Sequence, residues 1–483
     1  MTDTALARRL GGWASSLTVG EIPAPVAAAA RRAIIDTIAV MTAGLRHTVT
    51  AKAITAFDDG GGVCHLVNGG TASAASAALI NGTAAHAYDL DDTSYTGIMH
   101  GSAVILPAVL AAVEETGADD AAALAAFVAG SEIAYALGDI VTHDHYFRGW
   151  WSTVTLGLIG ATAAAARVYG LDVIASTQAV ALAASIAGGG KAVFGTDGKP
   201  FLVGMTARTA LDLAKAARGG LCGPENAFED SRGFIALLNN GAAAYEQADS
   251  LGKRWRLTDP GLLLKRYPVC SGAHALVEQT VALCHSAKIE PDQIAAIECH
   301  VPSLVNISLV YDNPQSAQQA QFSLPYAVAC AVHHAGVTFN DLSAGALANP
   351  DIRAIMAKVQ TFVDPELSSD AMRAVSPEGA RVALILSDGR RLEGFCPVAY
   401  GMPARPLSND DLRAKFEACV GFAGHPLPAI APALDNLFAL GRSGAGDLST
   451  AVAAIWSIAA KGDPMPPRLA QLLPEDRGVP ALH

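Results

Sequence analysis

From Ala5 to about Gly219, apolar residues recur at helical spacing or fill whole turns, and the chain reads as one helix after another. "VAAAARRAIIDTIAVMTAG", "ADDAAALAAFVAGSEIAYALGDIV" and "PFLVGMTARTALDLAKAARGG" are the clearest runs. The third opens on Pro200 and closes on a glycine pair, the start and stop signals of a helix. Residues 82 to 96 are expected to be helical as well, up to a break at Gly97. Such a helix would place His86, Asp89 and Thr93 on one face. His100 would then turn back toward Asp89, with Ser102 capping the next helix.

After "LLLKRYP" the pattern changes. "AAIECHVPSLVNISLVY" and "RVALILSDGRRLEGFCPV" alternate, are rich in Val and Ile, and read as strands, the second folded at an "SDGR" turn. Helical runs such as "SLPYAVACAVHHAG" lie between them. Helices resume at "SNDDLRAKFEACVGFAG", with Ser408 as N-cap, and at "LSTAVAAIWSIAA". The end, "KGDPMPPRLAQLLPEDRGVPALH", is polar and proline-rich and is expected to be a loosely held tail. The predicted fold is mainly α: a large all-helical domain formed by both chain ends, plus a smaller α+β lid domain. Its parts are residues 1–264 (helical domain, first part), 265–401 (α+β lid) and 402–483 (helical domain, second part, with the tail).

Composition sharpens this. Of 483 residues, 51% are hydrophobic and 16% charged, and the mean hydropathy of +0.31 raises the question of a membrane span. The uncharged run "GWWSTVTLGLIGATAAAA" reaches spanning length but carries several Ser, Thr and Gly and no flanking basic cluster, so a buried helix is expected instead. The N-terminus shows no apolar export segment, and the eight cysteines are scattered without a C-x-x-C pair. Both point to the cytoplasm, and the cysteine spacing disfavours zinc or iron–sulfur sites. With a net charge of −12 and no basic stripe, nucleic acid is not an expected partner.

Candidate chemistry begins with "HAYDLDDTSYTGIMHG", residues 86–101, an ionisable cluster in an apolar chain. Read singly, Asp91 and Asp92 are expected to face water and His86 to pack in the core. Nothing here matches a calcium loop or H-E-x-x-H spacing, so no metal is expected. "HDH" at His143–His145 reads as surface. "GGGKAVFGTDGKPF" lacks the Walker spacing, yet Lys199 beside a helix start suits a carboxylate or phosphate. In "LKRYPVCSGAHALVE", Lys265 and Arg266 bring cations to the domain junction. His274 falls in a first helical turn, where its neutral form is favoured. Cys270 reads as packing, and the Tyr326 phenol is a candidate proton donor.

Together these stretches resemble a family. "NGTAAHAYDLDDT" with His100–Gly101, "GKPFLVGMTAR", "GLCGPENAFEDSRGF", "KRYPVCSGAH", "AQFSLPYAVAC" and "GMPARPLSNDDL" look like the MmgE/PrpD family in order and spacing, from about residue 5 to 460. That family includes 2-methylcitrate dehydratase, cis-aconitate decarboxylase and iminodisuccinate epimerase. The resemblance implies a homodimer of helical domain plus lid, working without metal or organic cofactor on a small carboxylic acid. Its active-site groups fall on Asp89, Thr93, His100, Lys199, His274 and Tyr326. Two positions depart from relatives: Trp151 and Leu202 stand where many members carry histidine. The chemistry implied is removal of a proton α to a carboxylate. 2-Methylcitrate dehydratase-like elimination is the leading expectation, and epimerisation, decarboxylation or an inactive binding protein are the alternatives. Lys199, Lys265 and Arg266 would hold carboxylate, the two histidines would share acid and base roles, and Trp151 would line the pocket.

Overall fold

The computed structural model describes residues 5–442 and 447–457. Helices dominate, as the apolar patterning predicts. Asp120–Val141 is capped by the Asp119 side chain accepting from the Ala122 amide, and it is apolar on every side because it is buried on every side. By length and composition it could cross a membrane, but 89% of its apolar window is covered by protein. Ser152–Val168, which holds most of the uncharged run, is likewise buried along its length. These two helices touch through small residues: a Cβ on Gly160 would meet the Gly130 carbonyl oxygen at 2.4 Å. Alanine and glycine here are what let backbones approach this closely.

The same device fixes the site. Helix Gly198–Arg218 lies on helix Ala74–His86, where Gly204 faces Gly82. A Cβ on Gly204 would meet the Leu79 carbonyl oxygen at 2.1 Å, so any larger residue would push the helices apart. Ala74–His86 does not run on to residue 96 as expected. It stops at His86, and Asp89 takes a left-handed conformation with φ of 51°. Thr93–Ser94 then pairs with Leu262–Leu263 as a two-residue antiparallel ladder. The helical spacing of His86, Asp89 and Thr93 is therefore replaced by a tight turn, stabilised by contacts from elsewhere in the chain.

Helix Asn409–Phe422, capped by Ser408 as the sequence indicates, packs on Ala24–Gly44. Trp456, on helix Leu448–Trp456, donates its indole N–H to Thr42 at 3.0 Å. The predicted tail beyond these helices falls outside the described residues.

The mixed segment forms a four-stranded sheet. Its strands are β1 (Ile294–Val301), β2 (Val359–Val363), β3 (Ala380–Leu386) and β4 (Arg391–Cys396), in spatial order β2-β1-β3-β4. Only the β1–β2 pair is parallel. The expected turn at Ser387–Arg390 joins β3 to β4, with Gly389 at φ 88°. The first predicted strand is shorter than its alternating pattern: after Val301, Pro302 opens helix Ser303–Asn306. Strand β2 has no strong sequence signal because it is a largely exposed edge. Helix His274–Ala287 covers β3 and β4.

Candidate active site

The turn after His86 gathers most of the ionisable groups of the opening cluster, and it buries them. Asp89, Asp91 and Asp92 are each at most 1% exposed, so the expectation of solvated aspartates at 91 and 92 fails. Burying a carboxylate requires partners, and the fold supplies them. Asp91 receives His86 Nδ1 at 2.8 Å. Asp92 accepts from the Ser102 hydroxyl, so Ser102 serves the aspartate while His100 holds the N-cap position of helix Gly101–Thr116.

His86, expected to be a core histidine, is instead the centre of a relay. Its Nδ1 hydrogen is directed to Asp91, which leaves Nε2 to accept from Lys199 Nζ at 2.5 Å. Lys199 also donates to Asp89 Oδ1 at 2.5 Å. Lys265 closes on the other oxygen, Asp89 Oδ2, at 2.7 Å and on the Asp89 carbonyl at 2.6 Å. The buried sequence Asp91–His86–Lys199–Asp89–Lys265 is continuous.

Charge follows from this geometry. Burial alone would raise Asp89, but Lys199 and Lys265 more than offset it and hold the carboxyl well below its usual range. Burial pushes Lys199 down. It would lower Lys265 too, but Asp89 and Asp91 keep that group above the ordinary lysine value. One carboxylate thus shares two lysines of different character. Each ammonium has three N–H groups and spends two here, so one on each makes no hydrogen bond among the described residues.

His100 stands beside this relay. Its Nδ1 lies 2.8 Å from the Asp92 carbonyl oxygen, which can only accept, so the ring hydrogen sits on Nδ1 and Nε2 carries the lone pair. Nε2 is 4.0 Å from Asp89 Oδ1, and Thr93 Oγ1 lies 3.3 Å from Nδ1. Burial, reinforced by the Lys265 charge, lowers His100 to about 3, so the ring is neutral. Its side chain is 14% exposed against 1% for Asp89, making it the more open of the two.

Trp151 is 1% exposed and packs beside the cluster. Its ring centroid is 5.5 Å from that of His86, with Lys199 Nζ 5.2 Å from the indole. Leu202 lies one turn along the Lys199 helix and is partly buried against the core. His274 is buried and lowered to about 3 by burial and then by Lys265. It is near enough to feel Lys265 and Asp89, but its Nε2 is directed to the Val269 carbonyl at 3.3 Å.

Other predicted groups lie apart. The Tyr326 hydroxyl donates to the Asp341 carbonyl at 2.6 Å, which commits the proton that the sequence reading offered to a substrate. The Arg266 charge helps to lower Glu278 and Asp411. The "HDH" histidines are not surface groups: His145 is fully buried against Thr155, and His143 reaches the Tyr95 carbonyl.

Reasoning from sequence missed two supports. Lys415, from helix Asn409–Phe422, donates to the Leu90 carbonyl at 2.9 Å and pairs with buried Asp36 at 2.5 Å, which ties down the turn. Glu378 accepts from Tyr95 and Ser271 and joins the mixed segment to the turn region. Lys415 sits at a helical position that reads as solvated, and nothing local marks either residue.

His86, Asp89 and His100 lie close enough together to hold a cation. Lys199 Nζ already occupies the space between two of them, at 2.5 Å from each. The donor set therefore fits an ammonium better than a divalent metal.

Neutral histidines, an ionised aspartate and two unlike lysines packed in one cluster are the apparatus of acid–base enzymes. The chain belongs to the MmgE/PrpD family: the model of the MmgE/PrpD N-terminal domain matches residues 8–247, and that of the C-terminal domain matches residues 267–426. Its relatives are enzymes. It is 25% identical to human cis-aconitate decarboxylase over 355 residues, covering 71% of this chain and 72% of the relative. It is 26% identical to a cis-aconitate decarboxylase-like protein of Aspergillus oryzae over 440 residues, covering 84% and 89%. The mouse cis-aconitate decarboxylase is 27% identical over 364 residues, covering 71% of each.

Proposed function

We propose that the protein is a cofactor-independent lyase that decarboxylates a small unsaturated polycarboxylic acid, with proton transfer at carbon α to a carboxylate. The observation that carries this reading is Lys199, buried between His86 and Asp89 with an N–H to spare. Loss of carbon dioxide breaks a carbon–carbon bond and leaves its electron pair delocalised toward a remaining carboxylate. That charge needs a fixed cation, and the carbon then needs a proton. Lys265, held protonated by Asp89, suits the first task. Lys199, pushed toward its neutral form by burial, suits the second, giving up its ammonium proton to the carbon. His100 Nε2 is the base for any proton removed on the open side.

The relatives favour decarboxylation over the dehydration that led the expectations from sequence. Epimerisation would use the same base and donor without bond cleavage. A panel of unsaturated and hydroxy di- and tricarboxylates in deuterated water, followed by NMR and carbon dioxide release, tests the proposal. Gas evolution with one deuterium incorporated is expected, unchanged by a strong chelator. Solvent exchange without gas would favour epimerisation, and loss of water would favour a dehydratase. Ligand binding without any turnover would leave a binding protein.

A further inference from the structure

A polar cavity of about 620 Å³ opens where helix Thr48–Phe57 starts and the segments around residues 315–318 and 342–353 pack over it. None of the cluster residues described above lines it. Two arginines do, Arg46 and Arg353, and no Asp or Glu is among the lining residues. That is unusual for a chain of net charge −12. The Arg46 side chain makes no hydrogen bond or ion pair among the described residues. Arg353 spends its N–H groups on neutral acceptors, the Leu347 and Pro314 carbonyls and the Asn313 side chain, so no carboxylate cancels its charge.

A third donor points the same way. Tyr88 is 7% exposed, its ring fixed against His47, Phe339 and Phe422. Its hydroxyl nevertheless has no hydrogen-bond partner among the described residues, and it lines the cavity within reach of the Arg46 charge. A cavity-lining phenol without a protein partner keeps its O–H free to donate to an occupant. The cavity is large enough for a metabolite and offers guanidinium and phenol donors.

We infer that this cavity binds a small, multiply charged oxyanion, a phosphate or polycarboxylate, held between Arg46 and Arg353 with the Tyr88 hydroxyl as third donor. The position has a consequence for the catalytic cluster. Tyr88 directly precedes Asp89, and Gln318 on the cavity wall donates at 2.7 Å to Asp197, just before the helix that carries Lys199. An occupant therefore braces the backbone on both sides of the relay.

Calorimetric titration of the full chain with pyrophosphate, and separately with citrate, tests this. One saturable site per chain is expected, weakened about tenfold or more in Arg46→Gln, since a lost charge-assisted hydrogen bond is worth about that much. Arg46 is exposed and unpaired, so the variant keeps its fold. Tyr88→Phe is expected to weaken binding several-fold, and His100→Gln to leave it unchanged. Tighter binding of pyrophosphate assigns the site to phosphates, and tighter binding of citrate assigns it to polycarboxylates. Absence of saturable binding with both probes overturns the proposal. So does an affinity unaffected by Arg46→Gln, or one abolished by His100→Gln, which would place the ligand in the catalytic cluster.

Discussion

Lys199 donates to His86 Nε2 across 2.5 Å, and the two come from helices whose contact residues are 113 positions apart. Lys199 could not be buried alone with its charge unmet. Together with Asp89 the two make a pair of donors and acceptors in which a proton can move without a change of net charge. Lys199→Met, similar in length but without the donor, is expected to lower turnover by about 100-fold or more. Folding should survive, because Lys265 still pairs with Asp89. Steady-state rates with circular dichroism check this; a folded variant with near-normal turnover would remove Lys199 from the chemistry.

His100→Gln is expected to reduce kcat by a similar factor, about 100-fold. The wild-type profile carries a second signature. Because burial lowers His100 to about 3, the ring stays neutral throughout the ordinary acid range. No acid limb near 6.5 should therefore appear in kcat. A limb at that pH, lost in His100→Gln, would show that the ring titrates normally and is not held as the structure has it.

Asp92 gives a stability prediction with a definite sign. Burial raises its carboxyl from 3.8 to about 8, so the folded protein holds that proton while the unfolded chain releases it. Its stabilising contribution is complete below about 4 and declines as pH rises toward 8. Asp92→Asn keeps the shape and removes the titration. The melting temperature of the variant, relative to wild type, should therefore climb between pH 5 and pH 8 and then level off. A difference independent of pH would mean that Asp92 is ionised in the fold.

Much of this arrangement was legible beforehand, and the misses share one cause. Alanine-rich periodicity marked the long helices, and alternating Val and Ile marked β1, β3 and β4. Asp89, Thr93, His100, Lys199 and Lys265, singled out from separate motifs, do lie together. What could not be read was anything set by a partner that folding brings into place, whether five residues away or hundreds. Asp91 and Asp92 look like solvated acids until His86 and Ser102 are placed against them. The helix expected through residue 96 stops because the turn is secured by Lys415 and Lys265, both remote in sequence. Tyr326 carried suitable chemistry, but its direction depends on the Asp341 carbonyl, which no local pattern reveals.

Trp151 is expected to limit the number of charges on the substrate. An additional carboxylate against the indole loses hydration while the neighbouring Lys199 is already engaged by His86 and Asp89, at a cost of roughly a few kcal/mol. Trp151→His should improve binding of tricarboxylates and weaken the native ligand. The ring also packs edge-on against Phe194, with centroids 5.7 Å apart, so the melting temperature must be followed alongside. A lower melting temperature with unchanged ligand preference would leave Trp151 a packing residue.

The protein is expected to be a homodimer. Several large apolar side chains remain exposed on one chain, among them Ile174, Leu221 and Leu237, and an obligate interface would cover such groups. Light scattering at micromolar concentration should give twice the chain mass; a monomer would count against the expectation.

Asp36 and Lys415 have a bearing on the order in which the molecule can be made. The aspartate lies in the second long helix and is fully buried, whereas its lysine is synthesised hundreds of residues later. A chain emerging from the ribosome must therefore keep that carboxylate wet, or protonated, through most of its synthesis. The turn bearing Asp89 likewise lacks the ammonium that holds the Leu90 carbonyl until the same late helix arrives. The groups of the candidate site are encoded early, but their final geometry is a late event, and a fragment ending before residue 415 carries the parts of the site without the means to set them.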